Sequence, residues 1–178
     1  IRDSSDCDYP FKELCGCGVG FKLIQALGQK YNESIEDLMP YLDLVATAIG
    51  ADIVPVVAEN RILSYYGLKV LNSNPRPGFQ ALIEEFKKSD LTLTDVVFVI
   101  APRINAAGRM KHGNYAVSLL KEIDLKQAKL AAQEIETFNS NRRILDQEIT
   151  KQALIQIEKE DAINKATTVV YNPNWNKG

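Results

Sequence analysis

Arg103, Asn105, Gly108 and Arg109 stand in the run Ala101-Pro-Arg-Ile-Asn-Ala-Ala-Gly-Arg-Met-Lys-His-Gly113. These residue types at this spacing suit contact with a phosphate. Arginine offers a forked, permanently charged set of donors and asparagine a neutral one. Glycine removes the Cβ that would keep an anion from the backbone. From Val96 to Lys121 there is no acidic residue, although the chain carries a net charge of −2. The spacing predicts a loop or frayed helix end that lets phosphate approach. A solvated basic turn behind a buried apolar segment is the alternative reading of the same residues.

The elements that must position this run come from a chain of 178 residues, enough for one domain with a sizeable core or for one domain and part of another. The pI near 5.5 argues against a broad basic surface, so any contact with nucleic acid must be local. No apolar stretch is long enough for a bilayer, so no membrane association is expected. Cys7, Cys15 and Cys17 are odd in number, and with a single histidine they make a poor zinc set. They read as reduced thiols of a cytoplasmic protein. The polar opening Ile1-Arg-Asp-Ser-Ser-Asp, without an initiating Met, reads as a cut inside a longer chain.

Periodicity predicts a mostly α chain. Gly16-Cys-Gly-Val-Gly20 leads into a helical pattern and lacks the strand and spacing of a dinucleotide loop. Ser34 should cap a short helix ending near Pro40, and Tyr41 to Gly50 should be a buried helix whose only charge is Asp43. A third helix is expected from Ala58 to Leu71, and Pro77 should open a fourth that carries Ala81, Leu82, Ile83 and Phe86. Thr92 and Asp95 can cap Val96–Ile100, whose β-branched residues fit either strand or helix. A short helix follows from Tyr115 to Lys121. Leu125 to about Ala162 is helical, and there either Asn139-Ser-Asn-Arg-Arg143 breaks it or Arg142 crosses a polar groove. Thr167–Tyr171 should be a strand.

Three segments occurring in order carry a resemblance: Asp8–Leu23, Ala51-Asp-Ile-Val-Pro-Val-Val-Ala-Glu-Asn-Arg61, and Pro102-Arg-Ile-Asn-Ala-Ala-Gly-Arg109. Together they resemble the RecJ single-stranded-DNA-specific exonucleases of the DHH phosphoesterase superfamily. Asn139–Arg143 and Val169–Gly178 look like later segments of the same enzymes. The resemblance implies the helical C-terminal part of an α/β DHH domain (residues 1–124), a long connecting helix (125–165), and the first strand of a DHH-associated domain (166–178).

It also implies a two-metal hydrolase using Mn²⁺ or Mg²⁺, with single-stranded DNA as partner and cleavage from a 5′ end in repair and recombination. Asp52 matches the family's last metal-binding aspartate, hence a catalytic and metal residue. Arg103, Asn105, Gly108 and Arg109 match the substrate-phosphate motif. Asn139 and Arg142, three apart on one helix face, fit either nucleic-acid contact or anchorage of the long helix. Glu59 and Arg61 read as a helix-end ion pair, Asn60 as a brace for the Asp52 loop, His112 as a surface residue and Trp175 as packing in a further domain. The paired aspartates and Asp-His-His motif of the family do not occur in the sequence, so the chain alone should be inactive. Two other readings stay open: a DHH phosphoesterase acting on short oligonucleotides or cyclic dinucleotides, and a non-catalytic helical module that binds nucleic acid or protein.

Overall fold

The computed structural model describes residues 7–84, 88, 90–110, 113–159 and 166–175, with backbone alone at 109 and 110. The expectations for Phe86 and His112 therefore lie outside the described residues. The fold is helical. Helix α1 (Gly16–Lys30) absorbs the glycine run into its first turns, where Gly18 N–H donates to the Cys15 Sγ at 3.3 Å. The run is thus part of a helix, with no anion-binding loop ahead of it.

Two single 3₁₀ turns (Ile35–Asp37 and Met39–Tyr41) follow, the first capped by Ser34, whose Oγ accepts from Glu36 N–H. They deliver the chain to α2 (Leu42–Asp52), which runs through the core with Val45, Ala46 and Ile49 almost fully buried. Helix α3 (Ala58–Ser73) lies close against α2 because Gly67 has no side chain. A Cβ there would collide with the Leu42 carbonyl oxygen and stand 2.5 Å from Ala46 Cβ.

Pro77 opens α4 (Pro77–Ile83), the place its fixed φ and missing N–H suit. Thr92 and Asp95 close a reciprocal capping box at the start of α5 (Leu93–Asp95). Once started there, the helix continues through Val96–Ile100 as a wide π-type turn, in which Ala101 N–H donates to the Val96 carbonyl, into α6 (Ala101–Met110). The strand alternative loses because Val96 and Ile100 are fully buried among Leu71, Phe79, Leu82 and Leu119, and packing outweighs β propensity.

Helix α7 (Asn114–Lys121) leads to α8 (Leu125–Lys159), whose first turn is capped by Asp124 Oδ1 accepting from Lys126 and Gln127 N–H at 2.7 and 3.0 Å. The 35 residues of α8 form one unbroken helix of about 52 Å. Asn139–Arg143 does not interrupt it; Arg142 Nη1 instead donates to Asp146 Oδ2 one turn on, at 3.1 Å. Ala128, Ala132 and Ile135 seat its first half against α4, α6 and α7, and no residue after Asn139 is buried.

The expected strand at Thr167–Tyr171 does not form among the described residues. A strand needs a neighbour's ladder, and the described residues hold no other strand to supply one. Trp175 Nε1 donates to Gln152 Oε1 of α8 at 2.8 Å.

Candidate functional site

The phosphate-suited run is a helix, and the helix sorts its residues by face. At 100° per residue, Asn105, Gly108 and Arg109 fall on one side of α6 and Arg103 on the other. Asn105 and Gly108 are exposed, and a Cβ at Gly108 would meet only Gly113 Cα at 4.0 Å. Arg109 occupies the last turn of the same side; its side chain lies outside the described residues.

Arg103 points inward with Ala106 and Ala107, and only 6% of it is exposed. Its Nε stands 2.5 Å from Glu136 Oε2 on α8, and its Nη1 donates to the Val99 carbonyl at 2.8 Å. The structure therefore brings Asn105 and Gly108 onto one open face, with the Arg109 backbone on the same side of the helix, and seats Arg103 in the α6–α8 interface.

Asp52 is the last residue of α2 and is exposed. The link after it is strained in an informative way. Ile53 adopts φ 52°, ψ 38°, and Ala58 opens α3 at φ 43°, left-handed values that cost energy for residues with a Cβ. Asn60, fully buried, holds the link by donating from Nδ2 to the carbonyls of Pro55 (3.0 Å) and Glu13 (2.8 Å). The brace expected at Asn60 is present in this form.

The ion pair expected between Glu59 and Arg61 is not. Residues two apart on a helix face different ways. Glu59 instead accepts from the Tyr9 hydroxyl at 2.8 and 2.9 Å and pairs with Lys22 at 3.2 Å, while Arg61 is exposed. This cluster raises the Tyr9 hydroxyl's pKa, first through burial and then through the Glu59 carboxylate.

The environment of Asp52 shows in the thiols near it. Burial pushes Cys17 up to about 11, and the charges of Asp43 and Asp52 push the same way. Cys15 is raised for the same first reason. Among the described residues no group of three or more His, Cys, Asp or Glu side chains is placed to hold a metal ion. Asp52 is one carboxylate, and hard divalent ions need several oxygen ligands. The described residues do not build a two-ion site by themselves.

Gly50, two residues before Asp52, packs on Val96, whose Cγ1 would lie 2.9 Å from an added Cβ. Asn105 and Arg109 come about 14–20 Å further along that helical run. Asn139 and Arg142 share a face of α8, as their spacing required. Asn139 is fully buried with neither amide atom hydrogen-bonded, and the Arg142 Nε is buried without a partner.

The sequence reading missed Glu136 and the pair Asp43–Arg76. Asp43, 1% exposed, accepts from Arg76 Nε and Nη2 at 2.7 Å each. A single charge inside an apolar helix was the available signal, because a buried carboxylate requires a partner.

No protein-family model matches the chain. Curated relatives do. The single-stranded-DNA-specific exonuclease RecJ of Salmonella typhimurium is 35% identical over 188 residues, covering 97% of this chain and 33% of that protein. RecJ of Bacillus subtilis is 37% identical over 175 residues, covering 97% of this chain and 21% of the relative. The chain thus spans a third or less of the length of these two relatives. Among solved structures, Thermus thermophilus RecJ in complex with Mn²⁺ matches with a TM-score of 0.76 at 31% identity, over 84% of this chain and 22% of that one. The Mg²⁺ complex from the same organism matches with a TM-score of 0.75 at 30% identity, over 83% of this chain and 23% of that one.

Proposed function

We propose that this chain, RecJ-like over nearly its whole length, serves as part of a metal-dependent exonuclease that removes nucleotides from the 5′ end of single-stranded DNA in repair and recombination. The observation that carries this reading is the continuous similarity to curated RecJ proteins over 97% of the chain. The open face of α6 supports it, with Asn105, Gly108 and Arg109 in a stretch free of acidic residues.

In this reading α6 holds the sugar–phosphate backbone through Asn105 and Arg109, and Gly108 leaves the backbone approachable. Asp52 is this chain's contribution to the ions, and the strained link at Ile53 fixes where the carboxylate is offered. Divalent ions, when bound, activate water and neutralise charge at the phosphate. The other ligands would come from beyond the residues described, and this chain alone would not hydrolyse DNA.

The test uses the full-length protein encoded by the native reading frame, with Mn²⁺ and single strands labelled at either end. Release of mononucleotides from the 5′ end, with none from this chain alone, is the expected result. Cleavage of dinucleotides but not of long strands would overturn the exonuclease reading in favour of an oligonucleotide phosphoesterase. Binding of single strands without cleavage would favour a non-catalytic module.

A further inference from the structure

The geometry points to Arg103 and Glu136 as a positioning pair that sets the rotation of α6, with Arg103 making no contact with substrate. This rests on the proposed exonuclease reading and separates the two arginines of one motif into different roles. Arg103 is 6% exposed and its Nε lies 2.5 Å from Glu136 Oε2. Its Nη1 is taken by the Val99 carbonyl at 2.8 Å, one turn back on the same helical run. To reach a phosphate the guanidinium would have to abandon a partly buried carboxylate, which would then lie uncompensated.

The pair sits where α8 changes character. Before it, Ala128, Ala132 and Ile135 lie in the apolar core cluster, a contact without directional bonds. Apolar packing alone sets the angle between helices only to within about 15–20°. The Arg103–Glu136 ion pair adds a fixed point, since the same guanidinium is also tied to the Val99 carbonyl. Asn105, Gly108 and Arg109 are carried on the opposite side of α6. Turning α6 by one residue's 100° would take them out of the open face. Fixing Arg103 therefore fixes the phosphate-facing residues.

Neutralising Glu136 gives opposite signs for the two roles. An acid beside a phosphate contact weakens binding, so if Arg103 touched substrate, Glu136→Gln would leave KM unchanged or lower it. If Glu136 holds Arg103 in place, the same change raises KM. The experiment measures KM and kcat of the full-length protein on long single strands with Mn²⁺, for Glu136→Gln, Arg103→Gln and the double variant. All are assayed at a temperature where circular dichroism shows each to be folded.

The pair predicts a rise in KM of about 10- to 100-fold for each single variant, the scale of a small misplacement of binding groups. The double variant should be no worse than the poorer single one, since both remove the same contact. Partial recovery in Glu136→Asp would add support. Unchanged or lowered KM in Glu136→Gln, with a raised KM in Arg103→Gln, would overturn the proposal and make Arg103 a direct contact. Lower kcat at unchanged KM in both would also overturn it, since only the active fraction would have fallen. A wild-type protein inactive on single strands would instead overturn the exonuclease reading on which it rests.

Discussion

Arg76 grips Asp43 with two parallel hydrogen bonds, Nε to Oδ2 and Nη2 to Oδ1, both 2.7 Å, inside a core where Asp43 is 1% exposed. The same guanidinium donates to the carbonyls of Leu120 and Pro40 at 3.3 Å. One side chain at the start of α4 thus ties together α2, the 3₁₀ turn before it and the last turn of α7. Arg76→Ala leaves a buried carboxylate uncompensated and should cost about 3–5 kcal/mol. Arg76→Lys should recover only part, because a point charge cannot make the paired contact. Urea denaturation of the three proteins checks this, and equal midpoints would refute it.

Gly67→Ala tests the close approach of α2 and α3. The added methyl meets the Leu42 carbonyl and Ala46 Cβ, neither of which can swing away. Overpacking of this kind costs about 1–3 kcal/mol, against the gain in helix propensity of about 1 kcal/mol expected for Gly→Ala at an open helical site. A higher melting temperature for the variant would show that the helices can separate at little expense.

The α5 capping box predicts an acid limb of stability. Lys88, at 2.6 and 2.8 Å, and then Thr92 hold the Asp95 carboxyl well below the usual carboxylate range. A depressed pKa contributes stability that is present above the unfolded value and is lost as pH falls. Stability should therefore decline as pH drops below about 4. Asp95→Asn should flatten that decline, and Thr92→Ala should cost about 0.5–2 kcal/mol at neutral pH. Chemical denaturation from pH 7 down to pH 2 reads both effects.

The three thiols should react in order. The Tyr9 backbone N–H, and more weakly Lys12, lowers the pKa of Cys7, whereas burial raises Cys15 and takes Cys17 to about 11. The thiolate is the nucleophile, so iodoacetamide at pH 8 should label Cys7 first. For Cys17 the raised value favours the neutral folded form. Its stabilising effect is present below about pH 9 and is lost as pH rises towards 11. Peptide mass spectrometry over a time course would expose a different order.

In the full-length protein, Asp52→Ala should nearly abolish metal-dependent cleavage without unfolding the chain, since Asp52 is exposed at a helix end. Arg109→Ala should weaken binding of single strands by about 1.5–3 kcal/mol, the scale of a lost hydrogen bond to a charged group. Retained cleavage in the first variant, or unchanged affinity at low salt in the second, would remove that residue from the site.

Local chemistry was the legible part of the sequence. Ser34, Pro77 and the Thr92–Asp95 pair mark helix starts by interactions within a few residues, and the helices begin there. Asn60 could be assigned to the Asp52 loop because its partner at Pro55 is close in sequence. Relations between distant elements were not legible. The partners of Glu59 come from Tyr9 and Lys22, and that of Arg103 from Glu136. Residue types in the Arg103–Arg109 run suggested one cluster, yet only a helix with a known buried face reveals that Arg103 points the other way. Thr167–Tyr171 has strand composition, and composition does not supply a neighbour to pair with.

Because every buried residue of α8 lies in its first half, with the Trp175–Gln152 bond meeting it further on, a tilt of α8 would turn about a point near Glu136 and Asn139. From there to Lys159 is about 30–35 Å, so each degree of tilt about that point carries the tip by about half an ångström. Whatever is joined to the far end inherits that magnification. The side chains that steady the base of α8 thereby set the aim of structure several turns away.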